Sequence, residues 1–148
     1  MIGRHWISTR ASLAGVLIAL MALSVSAPSQ AQTSAAAPDK NSAEYKRGRL
    51  LFIQCRACHD LQASDVEKIG PNLAGLMGRK VAADANFAYS PALQAAASKL
   101  VWDKPTLDRW LEKPAAVIPG NTMAFAGISS PMDRAALLAY LAAETSTR

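Results

Sequence analysis

Cysteine and histidine are scarce, two of each among 148 residues. Two thiols cannot build a disulfide scaffold, a four-thiolate zinc site or an iron–sulfur cluster. Charge is also thin. Charged residues make up 18% against 51% hydrophobic, too apolar a balance for a disordered chain. No Gly-X-Y period, heptad run or repeat at fixed spacing is present, so fibres and solenoids are excluded. A length of 148 residues suits one domain and leaves little room for two.

The long apolar run that is present lies at the start. Arg4 and Arg10 give a basic beginning, Ala11 to Val25 is apolar apart from two serines, and small residues lead to Ser29-Gln30-Ala31. A charged start, a short apolar core and a small-x-small end make a secretory signal peptide, residues 1–31. The run is shorter than the roughly 20 residues a spanning helix needs. An uncleaved N-terminal anchor is the alternative. Cleavage after Ala31 removes two arginines, leaving 117 residues with 14 basic against 11 acidic, a net charge of +3. Much of the basic balance therefore belongs to the export signal. No clustered basic face remains, so no nucleic-acid partner is expected. His5 leaves as well, which makes His59 the one histidine of the mature chain.

Residues 32–41 are small and polar and read as a flexible leader. A helical pattern begins at Asn41 or Ser42, with Tyr45, Gly48, Leu51 and Phe52 on one face, and runs into the two cysteines. Residues 60–86 are rich in loop signals: Gly70, Pro71, Gly75 and Gly78. Ser90-Pro91 starts a helix ending near Ser98, and Asp103 with Pro105 starts another through Glu112, stopped by Pro114. Residues 115–129 again read as loop. Ser130-Pro131 opens a last helix to about Glu144, with Leu137, Tyr140, Leu141 and Glu144 spaced for one face. Nothing alternates at period two, so the domain, 42–148, reads all-α. Loops this long in so small a domain imply that a large apolar cofactor fills the centre.

Cys55-Arg56-Ala57-Cys58-His59 is C-x-x-C-H. One helical turn puts both sulfurs along one edge of a haem macrocycle, where they add to its two vinyl groups. The next residue then turns its imidazole to the iron. A thioredoxin-like pair needs a βαβ context that is missing, and zinc needs a fourth ligand. His59 is thus a metal ligand and Cys55 and Cys58 attach one haem c. With no second histidine, the sixth position falls to Met77, Met123, Met132, a lysine, or nothing. Met77 reads as core filler and Met132 as helix surface, whereas Met123 follows a Pro119-Gly120 turn far along the chain. Spacing favours Met123.

The span from about Asn41 to Glu144 resembles the class I cytochromes c, especially the small soluble bacterial carriers related to mitochondrial cytochrome c. Gly48 and Phe52 resemble the Gly-x-x-x-aromatic pair of the family's first helix, where the missing side chain lets the last helix cross near Tyr140. Gly70-Pro71-Asn72-Leu73 is similar to the family's GPNL turn, which implies that the Pro71 carbonyl orients His59. Gly78-Arg79-Lys80 resembles a GRK element whose arginine holds a haem propionate. By the same likeness Tyr89 and Trp102 are propionate donors, and Trp110 stands on the methionine side where a tyrosine is usual. Residues 119–127, from Pro119 to Gly127, resemble the axial methionine loop. That likeness implies Met123 as ligand and Phe125 as the aromatic beside the haem edge. The alternative for the aromatics is ordinary core packing, the safer reading for Trp110, while Tyr89 and Trp102 can do both jobs, since buried polar tips need partners.

Two departures stand out. Positions that carry lysines around the haem edge of the mitochondrial proteins are here Gln54, Ala115, Ala116, Thr122, Ser129 and Ser130. The segment from Tyr89 to Trp102 is also slightly longer, so contacts to the inner propionate differ. The resemblance implies an all-α class I cytochrome c fold, short helices and long loops around one covalent haem. It implies a single-haem periplasmic electron carrier, not an enzyme, cycling Fe(II)/Fe(III) with His/Met ligation. Its partners are redox proteins (an oxidase, a reductase or a dehydrogenase), and a respiratory oxidase, a photosynthetic reaction centre or a periplasmic dehydrogenase would all fit. A monomer is expected, meeting the membrane only through partner complexes or an uncleaved N-terminal segment. Docking is expected to be mainly apolar and short-lived, so a steep fall of electron-transfer rate with added salt counts against it. The rivals are a haem sensor or gas-binding protein with a labile sixth ligand, and an electron-transfer subunit of a larger redox enzyme.

Overall fold

Four of the five α-helices among the described residues open on a side-chain cap that satisfies a backbone N–H with no helical partner. In the computed structural model, which describes residues 39–146, Ser42 accepts from Tyr45 N at 3.1 Å and starts α1, Ala43–Leu51. Ser90 starts α2, Pro91–Ala96. Asp103 accepts from Thr106 N at 2.8 Å and starts α3, Lys104–Glu112. A one-turn α4, Pro114–Val117, follows directly, and Ser130 caps α5, Pro131–Glu144. Among the described residues the only β-pairing is an isolated bridge between Lys80 and Val101. The fold is all-α, as expected.

Three local expectations need correction. The first helix does not reach the cysteines as an α-helix: it ends at Leu51, and a 3-10 turn, Phe52–Gln54, carries the chain into Cys55, its Phe52 carbonyl taking both Cys55 N and Arg56 N. Pro114 is not only a stop, because its fixed φ also suits the first turn of α4, within a stretch read as loop. Met77 is no core filler but is 37% exposed. The expected signal peptide (1–31) and residues 32–38 of the leader lie outside the described residues. Residues 39–41 form a turn into α1, where Asp39 takes Asn41 N and Lys40 pairs with Glu144 at 2.7 Å.

The protein–protein core is the crossing of α1 and α5. A Cβ added at Gly48 would sit 2.1 Å from the Ala136 carbonyl oxygen and 2.6 Å from the Tyr140 Cβ, so only glycine admits this approach. Tyr45, Phe52 and Tyr140 fill the seam, with ring centroids 5.2 and 5.6 Å from Tyr140. Tyr45 donates its O–H to Glu144 at 2.7 Å. From this seam α5 carries Leu137 and Leu141, both buried, towards the part of the molecule built by loops.

Candidate haem site

The C-R-A-C-H turn is one helical turn by its bonds: Cys58 N and His59 N both donate to the Cys55 carbonyl at 3.0 Å. Both cysteines are free and half-buried. Burial, with Cys58 nearby, pushes the Cys55 thiol up to about 11, so it is neutral at ordinary pH. His59 Nδ1 lies 2.8 Å from the Pro71 carbonyl. A carbonyl only accepts, so Nδ1 carries the ring proton and Nε2 keeps its lone pair. Burial lowers the basicity of His59, the Pro71 bond opposes that, and the positive charge of Lys68 adds to it. Gly70 packs on the imidazole itself: a Cβ there would lie 2.6 Å from His59 Cε1.

Arg79 and Trp102 are brought side by side by a short antiparallel contact in which Gly78 N donates to the Trp102 carbonyl and Trp102 N to the Arg79 carbonyl. The Arg79 guanidinium donates to the carbonyls of Asn72 (2.8 Å) and Ala74 (2.9 Å), and its Nε is buried with no protein partner. Trp102 meets Trp110 edge to face at 5.1 Å, and Tyr89 meets Phe87 at 4.9 Å. Burial raises the Tyr89 phenol, which keeps it an O–H donor.

The Met123 loop is fixed at both ends. Asn121 takes Met123 N at 3.2 Å, and Phe125 N returns to the Met123 carbonyl at 2.9 Å. Gly127, at φ 107°, lies so close to α3 that a Cβ would meet the Glu112 carbonyl at 1.9 Å, and Ile128 N donates to Leu111 at 2.7 Å. Arg134 completes the anchorage. Buried in α5, it donates to Asp108 and to the carbonyls of Ile128 and Ser129, within 3.6 Å of Glu112. Sequence reasoning missed Arg134; Asp108 and Glu112, one turn apart on α3, were the available signal.

Cys55, Cys58, His59, Pro71, Arg79, Tyr89, Trp102, Trp110, Met123 and Phe125 all line one cavity of about 260 Å³. Its remaining wall is mostly apolar, with Leu107 and Leu111 from α3 and Leu137 and Leu141 from α5. Those leucines, spaced four apart, were readable as helix faces but not as cavity wall. Met132 is 76% exposed and Met77 lines no part of the cavity. Of the positions where the mitochondrial proteins carry lysines, Ser130 is not free surface but the cap of α5.

The site suits haem c. Two free thiols, an imidazole with a free Nε2 and an unpartnered buried guanidinium N–H face an apolar space. Comparison with known proteins agrees. The chain is 48% identical over 90 residues to cytochrome c2 iso-2 of Magnetospirillum fulvum, covering 61% of this chain and 91% of that one. The chain belongs to the class I c-type cytochromes. It is 42% identical over 103 residues to cytochrome c of Cochliobolus lunatus, covering 69% of this chain and 94% of the other. Among solved structures, cytochrome cH from Methylobacterium extorquens superposes with a TM-score of 0.60 at 34% identity, over 66% of this chain and 96% of that one. No family model matches the chain. This class I cytochrome is a small haem electron-transfer protein, not an enzyme. No helix among the described residues is long and apolar enough to cross a membrane.

Proposed function

We propose that this cytochrome holds one haem c through thioether bonds to Cys55 and Cys58, with His59 and Met123 as axial ligands. It shuttles electrons between redox protein partners in the periplasm. The observation that carries this reading is the cavity that His59 and Met123 line together with both thiols, His59 having its proton committed to Pro71. Haem c supplies an iron that takes up and gives back one electron.

The chain's own residues do the rest. Pro71 orients the His59 ring and raises the donor strength of Nε2. Asn121, Gly127 and Arg134 hold the Met123 loop in one conformation, so the thioether stays in place in both oxidation states. Met/His ligation and an apolar wall both favour the reduced iron and raise the potential. The Arg79 Nε, the Tyr89 O–H and the Trp102 indole are donors for the haem carboxylates, while Trp110 and Phe125 exclude water. Export through residues 1–31 supports the periplasmic assignment, because c-type haem is attached outside the bacterial cytoplasm.

The test is the absorption spectrum of the purified holoprotein, oxidised and reduced, with and without carbon monoxide. A sharp low-spin reduced spectrum indifferent to the gas is expected, with a weak red band of the oxidised form that disappears in Met123→Ala. A high-spin spectrum that shifts with carbon monoxide means an open site and replaces the carrier by the sensor reading. Absence of haem overturns both.

A further inference from the structure

Residues 62–67 form an exposed strap between the C-R-A-C-H turn and Gly70, and beside it Ile69 is 84% exposed. Lys68 differs from the rest of this stretch. Its side chain is only 25% exposed, and its Nζ lies 2.6 Å from Asp60 Oδ1, 2.8 Å from the Arg56 carbonyl and 3.3 Å from the His59 carbonyl. An ammonium has three donors, and here each has its acceptor. Two of those acceptors belong to the C-R-A-C-H turn. The Cys55 and Cys58 carbonyls of that turn already receive backbone N–H groups, Cys58 from Gly70 at 3.0 Å. The carbonyls of Arg56 and His59 go to Lys68 instead.

An exposed lysine–carboxylate pair by itself contributes little. This one is different because Asp60 fixes the ammonium in a position where it also binds the main chain of the histidine. His59 is thus held twice, its ring by Pro71 and its own carbonyl by Lys68. The ammonium also compensates the Asp60 carboxylate, which left alone beside the turn would favour the additional positive charge of the oxidised iron. We propose that Lys68 is a positioning residue for His59, locking the haem-binding turn and biasing the iron towards its reduced state. The proposal rests on the reading of His59 as a haem ligand.

The experiment compares holoproteins carrying Lys68→Met and Lys68→Arg with the parent. Three quantities are read: the equilibrium of reduction against a fixed mediator, the hyperfine-shifted proton resonances of the His59 ring, and amide exchange at Gly70. In Lys68→Met the reduction equilibrium constant falls roughly threefold or more as the fixed charge is lost. The His59 resonances move, and Gly70 exchanges about tenfold faster as the strap opens. Lys68→Arg, which keeps charge and donors, restores all three towards the parent. Faster exchange with an unmoved potential and unmoved His59 resonances overturns the proposal, as does no change at all. If Lys68→Met yields no holoprotein, Lys68→Gln, which keeps an N–H donor without charge, is read by the same criteria. A parent protein whose spectrum lacks ligated-imidazole resonances overturns the ligand reading itself. A normal parent with unaffected variants overturns the Lys68 assignment alone.

Discussion

At the α1–α5 crossing, Gly48 meets Ala136 and Tyr140 so closely that no Cβ fits, and three aromatic rings close the seam. On another face of the same stretch of α5, Leu137 and Leu141 line a cavity of about 260 Å³ whose other walls are mostly loops. The first region is completed by the chain alone. The second is built from equally apolar side chains, but they are spaced apart, and their polar neighbours are tied to the main chain around the space. Apolar side chains lining a space of that size lack packing partners across it unless a cofactor supplies them. Long loops in a small domain are therefore consistent here: their apolar residues pack against a cofactor, and their backbone bonds hold that packing in register.

The strongest way to break the comparison is to remove the attachment. In Cys55→Ser with Cys58→Ser the cavity loses its covalent occupant, and the chain is expected to lose cooperative thermal unfolding, followed by circular dichroism and calorimetry. A sharp melt in this haem-free variant would mean that the loop half closes on itself. The crossing is challenged next. Gly48→Val drives a branched side chain against the Ala136 carbonyl and should cost about 3 kcal/mol. The holoprotein's denaturant midpoint measures this, and its haem spectrum reads whether the displacement of α5 reaches the cavity through Phe52, Leu137 and Leu141.

The smallest effect sharpens the same seam. Tyr45→Phe removes the bond to Glu144 and should cost about 1 kcal/mol at neutral pH. Burial, helped by Glu144, pushes the Tyr45 phenol up to about 12 from an ordinary value near 10. A raised folded-state value contributes stability that is complete below pH 10 and is lost as pH rises towards 12. The variant's stability should therefore fall less steeply over that window. Part of the slope persists, because burial also raises Tyr89 and Tyr140. Parallel curves for parent and variant, recorded by denaturant melts at several pH values, would place the alkaline sensitivity elsewhere.

Much of this was legible because it is local. Ser42, Ser90, Asp103 and Ser130 cap helices through bonds that span three residues, and C-x-x-C-H places its own carbonyl and amides within one turn. Pro114 misled because the same fixed φ ends one helix and begins another. Arg134 was invisible because its partners Asp108, Ile128 and Ser129 come together only when α3, the Met123 loop and α5 dock. Lys68 was lost for a related reason. A lysine in a polar strap is by composition a solvated charge, and only the folded turn supplies the Arg56 and His59 carbonyls.

By itself, then, the sequence determined the helix starts, the all-α class and the two thiols beside one histidine, since each depends on residues within a turn of one another. Tertiary structure alone decided that Arg79 keeps one buried N–H without a protein partner and that Lys68 binds the histidine's own carbonyl. Burial and partner choice are set by segments that meet only on folding, and no local pattern encodes which atoms those segments leave for one another.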